Sequence, residues 1–125
     1  MDFDFPTEII LEGQVKVIVP KLSNYVTKPS DYAPSKAPVF YNPIMELNRD
    51  ISVLVLQTYQ NILGRELLVC EPMTGCGIRG VRFAIEVDGV NNIMLNDIDP
   101  KSTTLANLTP RIPHPVIGSH TRSSR

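Results

Sequence analysis

Two uninterrupted apolar runs organise the hydrophobic pattern of the chain, and a polar segment separates them. Leu67–Cys70 and Ile93–Leu95 contain no polar side chain, which is typical of strands in a parallel sheet that is buried on both faces. Residues 78–87, between the runs, have the composition of a helix. The pattern therefore predicts a strand, a glycine loop, a helix and a second strand in that order.

A different alternation marks the first part of the chain. Two short apolar runs, Ile9–Leu11 and Val15–Val19, are separated by three residues that include Gly13, and this arrangement predicts a β-hairpin. Valines at every second position of the second run fall on one face of it. Residues 21–39 contain three prolines among serines and lysines, and we expect a loop there, without fixed structure in its middle.

A long helix is predicted to follow this loop. Asn42 is a good N-cap, Pro43 a good first helical residue, and Gly64 a suitable terminator. We expect the helix to pack on the sheet through a stripe of apolar residues: Ile44, Leu47, Ile51, Leu54, Val55 and Ile62. Arg49 lies away from that stripe, so it is either solvated or paired with an anionic group such as the carboxylate of a ligand.

After the second central strand the periodicity is soon lost. Asp99 and Pro100 predict the start of another helix, which extends through Leu105 and Asn107. Three prolines at positions 110, 113 and 115 then exclude a continuing helix, and residues 108–125 are expected to form an irregular tail. His114 and His120 belong to it, and we interpret both as solvated side chains without a catalytic role.

The glycine loop carries the candidate chemistry. Gly75, Gly77 and Gly80 lie where the chain leaves the first central strand and enters the helix, so backbone N–H groups and the helix dipole can face a ligand. Glu71 and Asp97 stand at the tips of the two strands, where a carboxylate can accept the hydroxyls of a ribose. These features predict a site for a nucleotide-type cofactor.

The spacing of the three glycines alone does not identify the cofactor. They match the dinucleotide fingerprint, and Asp97 follows Gly77 by twenty residues, as that fingerprint allows. However, the segment from Glu71 to Thr74 lengthens a turn that must be tight in a dinucleotide site, and a charged strand tip suits a cofactor without phosphate. The residues favour S-adenosyl-L-methionine, and a nicotinamide-dependent dehydrogenase fragment is the disfavoured alternative.

Two arginines begin the helix after the loop. Arg79 and Arg82 are three residues apart and share a face, and a cation in the first turn of a helix opposes the helix dipole. Either a nearby carboxylate compensates this cost, from Glu71 or from the ligand, or both side chains are solvated.

Composition limits the remaining possibilities. A chain of 125 residues with a net charge of −1 is one small domain without the basic surface of a self-sufficient nucleic-acid binder. Neither a membrane span nor a signal peptide is recognisable, so the expected location is cytoplasmic. Cys70 and Cys76 fit no zinc spacing, and no metal site is expected. Both are interpreted as reduced small apolar residues, with a redox-sensitive Cys76 as the alternative.

Three blocks of the chain, residues 39–50, 74–84 and 95–97, resemble the N-terminal part of the tRNA (guanine-26 N2)-dimethyltransferases. The blocks occur in the order of that family, and the similarity covers residues 8–107. The resemblance implies an α/β fold, namely an incomplete Rossmann-like methyltransferase domain preceded by the hairpin. It divides the chain into an N-terminal hairpin and loop (1–38), the start of the catalytic domain (39–107) and the tail (108–125).

The resemblance also implies roles for individual residues. Arg49, Arg79 and Asp97 correspond to residues that contact S-adenosyl-L-methionine, in agreement with the geometry expected for Glu71, Gly75 and Gly77. Phe40 lies where an aromatic ring could stack on a target guanine of tRNA.

The departures from the family are equally informative. The family's catalytic acidic residue lies in an Asp-Pro-Phe-Gly type segment, and this sequence contains none, so no catalytic residue is assigned. The similarity stops at Asn107, which predicts a truncated or frameshifted reading frame whose own activity is doubtful and whose contacts with tRNA lie mostly elsewhere. The alternative is a non-catalytic nucleotide-binding module, or one that depends on a partner for its missing strands.

Overall fold

The computed structural model describes residues 3–28, residues 30–109 and the backbone of residues 116–119. Its first element is an antiparallel hairpin of β1 (Thr7–Glu12) and β2 (Val15–Pro20). Gly13 allows the tight turn because its φ of 55° is in the left-handed region. The valines of β2 are buried on one face, where they form part of the main core. The predicted hairpin is confirmed.

The segment between the hairpin and the long helix is more ordered than predicted. A 3₁₀ turn (Leu22–Asn24) and a short helix, α1 (Ala33–Lys36), lie within the expected loop. Asn42 acts as a cap, since its side chain accepts a hydrogen bond from the N–H of Ile44, but it begins a 3₁₀ turn (Pro43–Met45) rather than the α-helix itself. Continuous with that turn, α2 (Glu46–Leu63) ends at Gly64 with a φ of 63°.

The second half of the chain builds a parallel sheet. Its elements are β3 (Leu67–Glu71), α3 (Ile78–Glu86), β4 (Val90–Leu95), α4 (Pro100–Leu108) and β5 (Val116–Ser119). The strands are all parallel in the order β3-β4-β5. The prediction of an irregular tail was therefore wrong for residues 116–119, which add a third strand, while His114 and His120 lie outside the described residues.

Helices cover one face of this sheet. Ile93 and Leu95 of β4 pack with Ala106 of α4 and with side chains of α3. On the opposite face, Leu68 of β3 is 76% exposed and Cys70 is also exposed. The prediction that β3 is buried on both faces was wrong. Cys70 is a free cysteine, as expected, but it is exposed. Within the described part of the chain, β3 pairs with β4 alone, so its other edge is open.

The orientation of α2 also differs from the prediction. The helix packs through Val53 and Leu56, which contact the cluster around Leu67 and Val90, and Arg49 is buried on the same side. The apolar stripe expected to pack on the sheet is instead exposed: Ile44, Leu47, Ile51, Leu54, Val55 and Ile62. Hydrophobic periodicity correctly identified the apolar face of α2. It did not predict that a different face of the helix is buried against the rest of the chain. No helix within the described ranges is both long and apolar enough to cross a membrane.

Candidate cofactor site

The glycine loop after β3 forms one wall of the site. Gly75 and Gly77 have φ values of 54° and 82°, which L side chains rarely adopt. A Cβ at Gly75 would lie 2.8 Å from the carbonyl oxygen of Phe40, and one at Gly77 would lie 2.8 Å from Cβ of Ala106. Backbone conformation and close packing therefore both require glycine at these two positions.

A cavity of about 410 Å³ opens beside this loop. This volume is in the range of small-molecule sites. It brings together every site residue predicted from the sequence except Gly77, and it adds side chains from the loop before α2 and from α4. The complete lining is Pro38, Phe40, Tyr41, Asn42, Met45, Arg49, Glu71, Met73, Thr74, Gly75, Cys76, Ile78, Arg79, Asp97, Asp99 and Ser102.

Asp97 is fixed at the tip of β4 by backbone donors. Its Oδ2 accepts a hydrogen bond from the N–H of Gly75 at 2.8 Å, and its Oδ1 accepts one from the N–H of Asp99 at 3.0 Å. A carboxylate oxygen has two acceptor positions, so each oxygen can still accept a hydrogen bond from a ligand hydroxyl. The arrangement suits recognition of a ribose.

Glu71 holds the start of α3. Its Oε2 accepts hydrogen bonds from the hydroxyl of Thr74 at 2.9 Å and from the N–H of Gly80 at 3.0 Å. Burial raises the pKa of the Glu71 carboxyl, an effect that these hydrogen bonds and the nearby charge of Arg79 only partly offset. The ionised form is therefore held in the wall of the cavity at a cost in stability.

We expect Glu71→Gln to stabilise the free chain at neutral pH. The folded-state pKa of Glu71 lies above its ordinary value of 4.5, so the folded state favours the protonated carboxyl. The contribution of this carboxyl to the free energy of unfolding is complete below pH 4.5 and is lost as the pH rises through the folded-state pKa. Glutamine keeps an acceptor oxygen without the buried charge. Thermal unfolding at about pH 4 and about pH 8 tests this, with the exposed Glu66→Gln as control. Parallel pH profiles for wild type and Glu71→Gln would contradict the expectation.

Arg79 is held by α2 rather than solvated. Its guanidinium donates to Oδ1 of Asn48 at 2.7 Å and to the hydroxyl of Ser52, and its Nε lies 3.9 Å from Glu71. The predicted compensating carboxylate is present, although polar groups of α2 provide the closer contacts. Arg79 remains in the cavity wall, so its predicted contact with a cofactor stays a prediction.

Arg49 makes a buried two-pronged ion pair. Its Nε and Nη2 donate to the two carboxylate oxygens of Glu12 at 2.6 Å and 2.7 Å, and Nη2 also donates to the carbonyl of Asn42 at 3.1 Å. Burial lowers the pKa of Arg49, but the hydrogen bonds and charge of Glu12 outweigh this and raise it overall. The alternative in which Arg49 is solvated is excluded, and an anionic partner is present in Glu12. The contact of Arg49 with a cofactor stays a prediction.

Arg82 completes the same buried cluster. Its side chain contacts three carboxylates, namely Glu12 at 3.1 Å, Asp50 at 2.7 Å and Glu86 one helical turn away. The predicted partner Glu71 is not among them. Glu12 was not predictable as a site residue, because its two arginine partners are 37 and 70 residues away along the chain and no local pattern connects them.

Phe40 and Cys76 complete the site. The ring of Phe40 is about half exposed beside the cavity, and its stacking on a guanine stays a prediction. Burial raises the pKa of the Cys76 thiol to about 12, so it is neutral at physiological pH and disfavoured as a redox-reactive group. No group of three potential metal ligands occurs among the residues with described placement.

Comparison with known proteins gives a consistent result. A model of the family described as N2,N2-dimethylguanosine tRNA methyltransferase matches residues 13–108. A tRNA (guanine(26)-N(2))-dimethyltransferase of Methanothermobacter thermautotrophicus is 45% identical over 71% of this chain and 21% of its own length. The enzyme of the same name from Pyrobaculum islandicum is 48% identical over 75% of this chain and 24% of its own.

A solved structure shares the fold. Trm1 from Pyrococcus horikoshii, in complex with S-adenosyl-L-methionine, superposes with a TM-score of 0.62 at 34% identity over 82% of this chain and 22% of that one. The predicted α/β class is thereby confirmed. The chain spans about a fifth to a quarter of the length of these relatives.

Proposed function

Because the chain belongs to the N2,N2-dimethylguanosine tRNA methyltransferase family, we propose that its cavity binds S-adenosyl-L-methionine. The observation that carries this proposal is the position of Asp97, whose carboxylate joins the glycine loop to the tip of β4 at the cavity wall. Three carboxylates, Glu71, Asp97 and Asp99, line the cavity. They would repel a pyrophosphate but can accept hydroxyl groups, so the donor set fits a ribose-containing cofactor without phosphate.

The proposed role of each residue follows from its chemistry. Asp97 accepts the ribose hydroxyls, and Glu71 supports the same wall while it fixes the loop. Gly75 lets the backbone approach the ligand at the cavity wall, and Gly77 lets the same loop pack against α4. A side chain at either position would clash or be strained. Arg49 and Arg79 provide the positive charge that the cofactor's carboxylate requires.

The reaction we propose for the whole protein is methylation of the exocyclic N2 of a tRNA guanine, and the bound cofactor supplies the sulfonium methyl group. Residues of this chain bind and orient the cofactor, which lowers the entropic cost of the transfer. Phe40 stacks on the guanine. None of these residues is assigned as the proton acceptor. With a net charge of −1, the chain leaves most tRNA binding to other regions, and we place the function in the cytoplasm.

Calorimetric titration of the chain with S-adenosyl-L-methionine tests the proposal. We expect saturable binding that Asp97→Ala weakens roughly 10- to 100-fold, the usual effect of losing hydrogen bonds to a charged group. Asp88→Ala is the matched control, since that carboxylate is exposed and outside the cavity wall. Thermal unfolding of each variant separates lost binding from lost folding, and a folded wild-type chain that does not bind would overturn the proposal.

A second candidate function is a non-catalytic module that depends on a partner. It is favoured by the exposed apolar stripe of α2 and by the open edge of β3, since surfaces of this kind mark interaction sites. Size-exclusion chromatography combined with the titration distinguishes the two. Ligand binding by a monomer supports the cofactor site as proposed, whereas a chain that binds only within an assembly supports the partner-dependent module.

A further inference from the structure

The turn of the hairpin reaches the cofactor site through one buried carboxylate. Glu12, the last residue of β1, is 2% exposed and accepts hydrogen bonds from Arg49 of α2 and from Arg82 of α3. A buried carboxylate is costly unless charged donors pair with it. The hairpin turn packs closely against α3, because a Cβ at Gly13 would clash with the side chains of Arg82 and Glu86.

The ion pair with Glu12 leaves the Nη1 edge of the Arg49 guanidinium available to a ligand. Nε and Nη2 are both bound to Glu12, whereas Nη1 donates to no acceptor among the described residues. No buried side-chain nitrogen or oxygen there lacks a hydrogen-bond partner, so Nη1 must reach accessible space. The accessible space that Arg49 borders is the cofactor cavity. The ring of Tyr41, 5.4 Å from Cζ, supports the guanidinium plane from one side.

We propose that Glu12 is a positioning residue for the cofactor site, because it fixes the guanidinium of Arg49 so that Nη1 presents its N–H groups to the carboxylate of the bound cofactor. The inference rests on the proposed function. It makes the N-terminal hairpin a component of the site, although no hairpin residue lines the cavity. A rigid fork loses less entropy when it binds a carboxylate than a mobile side chain would.

The competing explanation is that Glu12 only anchors the hairpin, and Glu86 provides the matched control. Glu86 accepts from Arg82 and from the N–H of Gln14 in the hairpin turn, so Glu86→Gln perturbs the same anchor. None of the hydrogen bonds and ion pairs described for Glu86 involves Arg49. If Glu12 has only a structural role, Glu12→Gln and Glu86→Gln should have similar effects on ligand affinity. If Glu12 is a positioning residue, only Glu12→Gln should weaken the binding of a ligand that carries a carboxylate.

The experiment compares two ligands that differ in the amino-acid group. S-adenosylhomocysteine carries the carboxylate, and 5′-methylthioadenosine has the same nucleoside and sulfur but no amino-acid group. We expect Glu12→Gln to weaken the binding of S-adenosylhomocysteine about tenfold and that of 5′-methylthioadenosine less than about twofold. Glu86→Gln should change the affinity for neither ligand by more than about twofold. If Glu12→Gln does not fold, Glu12→Asp, which keeps the charge but is too short for both nitrogens, carries the same comparison.

Equal losses for the two ligands in the Glu12 variant, or the same selective loss in Glu86→Gln, would overturn the positioning role. Failure of the proposed function is distinguishable, because it appears in the wild-type chain as absence of binding to either ligand before any variant is compared.

Discussion

Replacement of Arg82 by leucine is expected to destabilise the chain by about 3–5 kcal/mol, the usual cost of removing one partner from a buried ion-pair network. Arg82 is 3% exposed and contacts Glu12, Asp50 and Glu86. Burial lowers the pKa of Arg82, but these three carboxylates outweigh it and raise the pKa overall. Leucine would leave Glu12 and Glu86 buried with fewer donors. The loss is a large fraction of the stability of a typical domain.

Urea unfolding measures this effect. Lys101→Met is the matched control, since Lys101 pairs with Asp4 at 2.8 Å, but both side chains are well exposed and such pairs contribute little. An Arg82→Leu chain with the midpoint of the Lys101→Met chain would show that the buried cluster does not hold the hairpin, α2 and α3 together.

The second large effect is expected at Gly80, where alanine should destabilise the chain by about 1–3 kcal/mol through overpacking. A Cβ there would lie 2.9 Å from Oε2 of Glu71 and closer still to Cδ2 of Leu95. Leu95 is completely buried, so its side chain must repack within the core to accept the added methyl group. Helix propensity alone predicts the opposite sign, since alanine is favoured over glycine in a helix interior by about 1 kcal/mol.

A double-mutant cycle identifies the cause of this effect. Leu95→Val removes a side-chain carbon near the clash, so Gly80→Ala should cost less in that background than in wild type. Denaturant unfolding of the four chains gives the coupling free energy. Strict additivity would mean that the close approach of α3 to β4 does not explain the glycine.

Local features were predictable because their causes lie within a few residues. Asn42 and Asp99 each cap a turn or helix beside a proline, and the glycine loop takes its shape from residues that tolerate positive φ. Glu71 and Asp97 were placed correctly at one cavity, since the carboxyl ends of neighbouring parallel strands meet at one edge of a sheet.

Features that depend on distant partners were not predictable. The sequence of α2 shows its apolar face, but Leu54 and Ile62 on that face are exposed while Arg49 is buried. The buried face of α2 carries Val53 and Leu56 together with Arg49, whose partner Glu12 lies 37 residues away. Hydrophobic periodicity contains no information about that ion pair. The strand at residues 116–119 was missed because its neighbouring prolines mask so short a pattern.

The ion pairs of Glu12 with Arg49 and Arg82, which hold the hairpin in place, can form only in a set order during synthesis. Glu12 and Arg82 are separated by 70 residues, so at a synthesis rate of about 5–20 residues per second the carboxylate waits roughly 4–14 s for its second arginine. The hairpin can form its own hydrogen bonds early, since they are local. Its docking must wait until α3 has emerged from the ribosome. Assembly of the cofactor pocket therefore follows formation of the hairpin in the nascent chain.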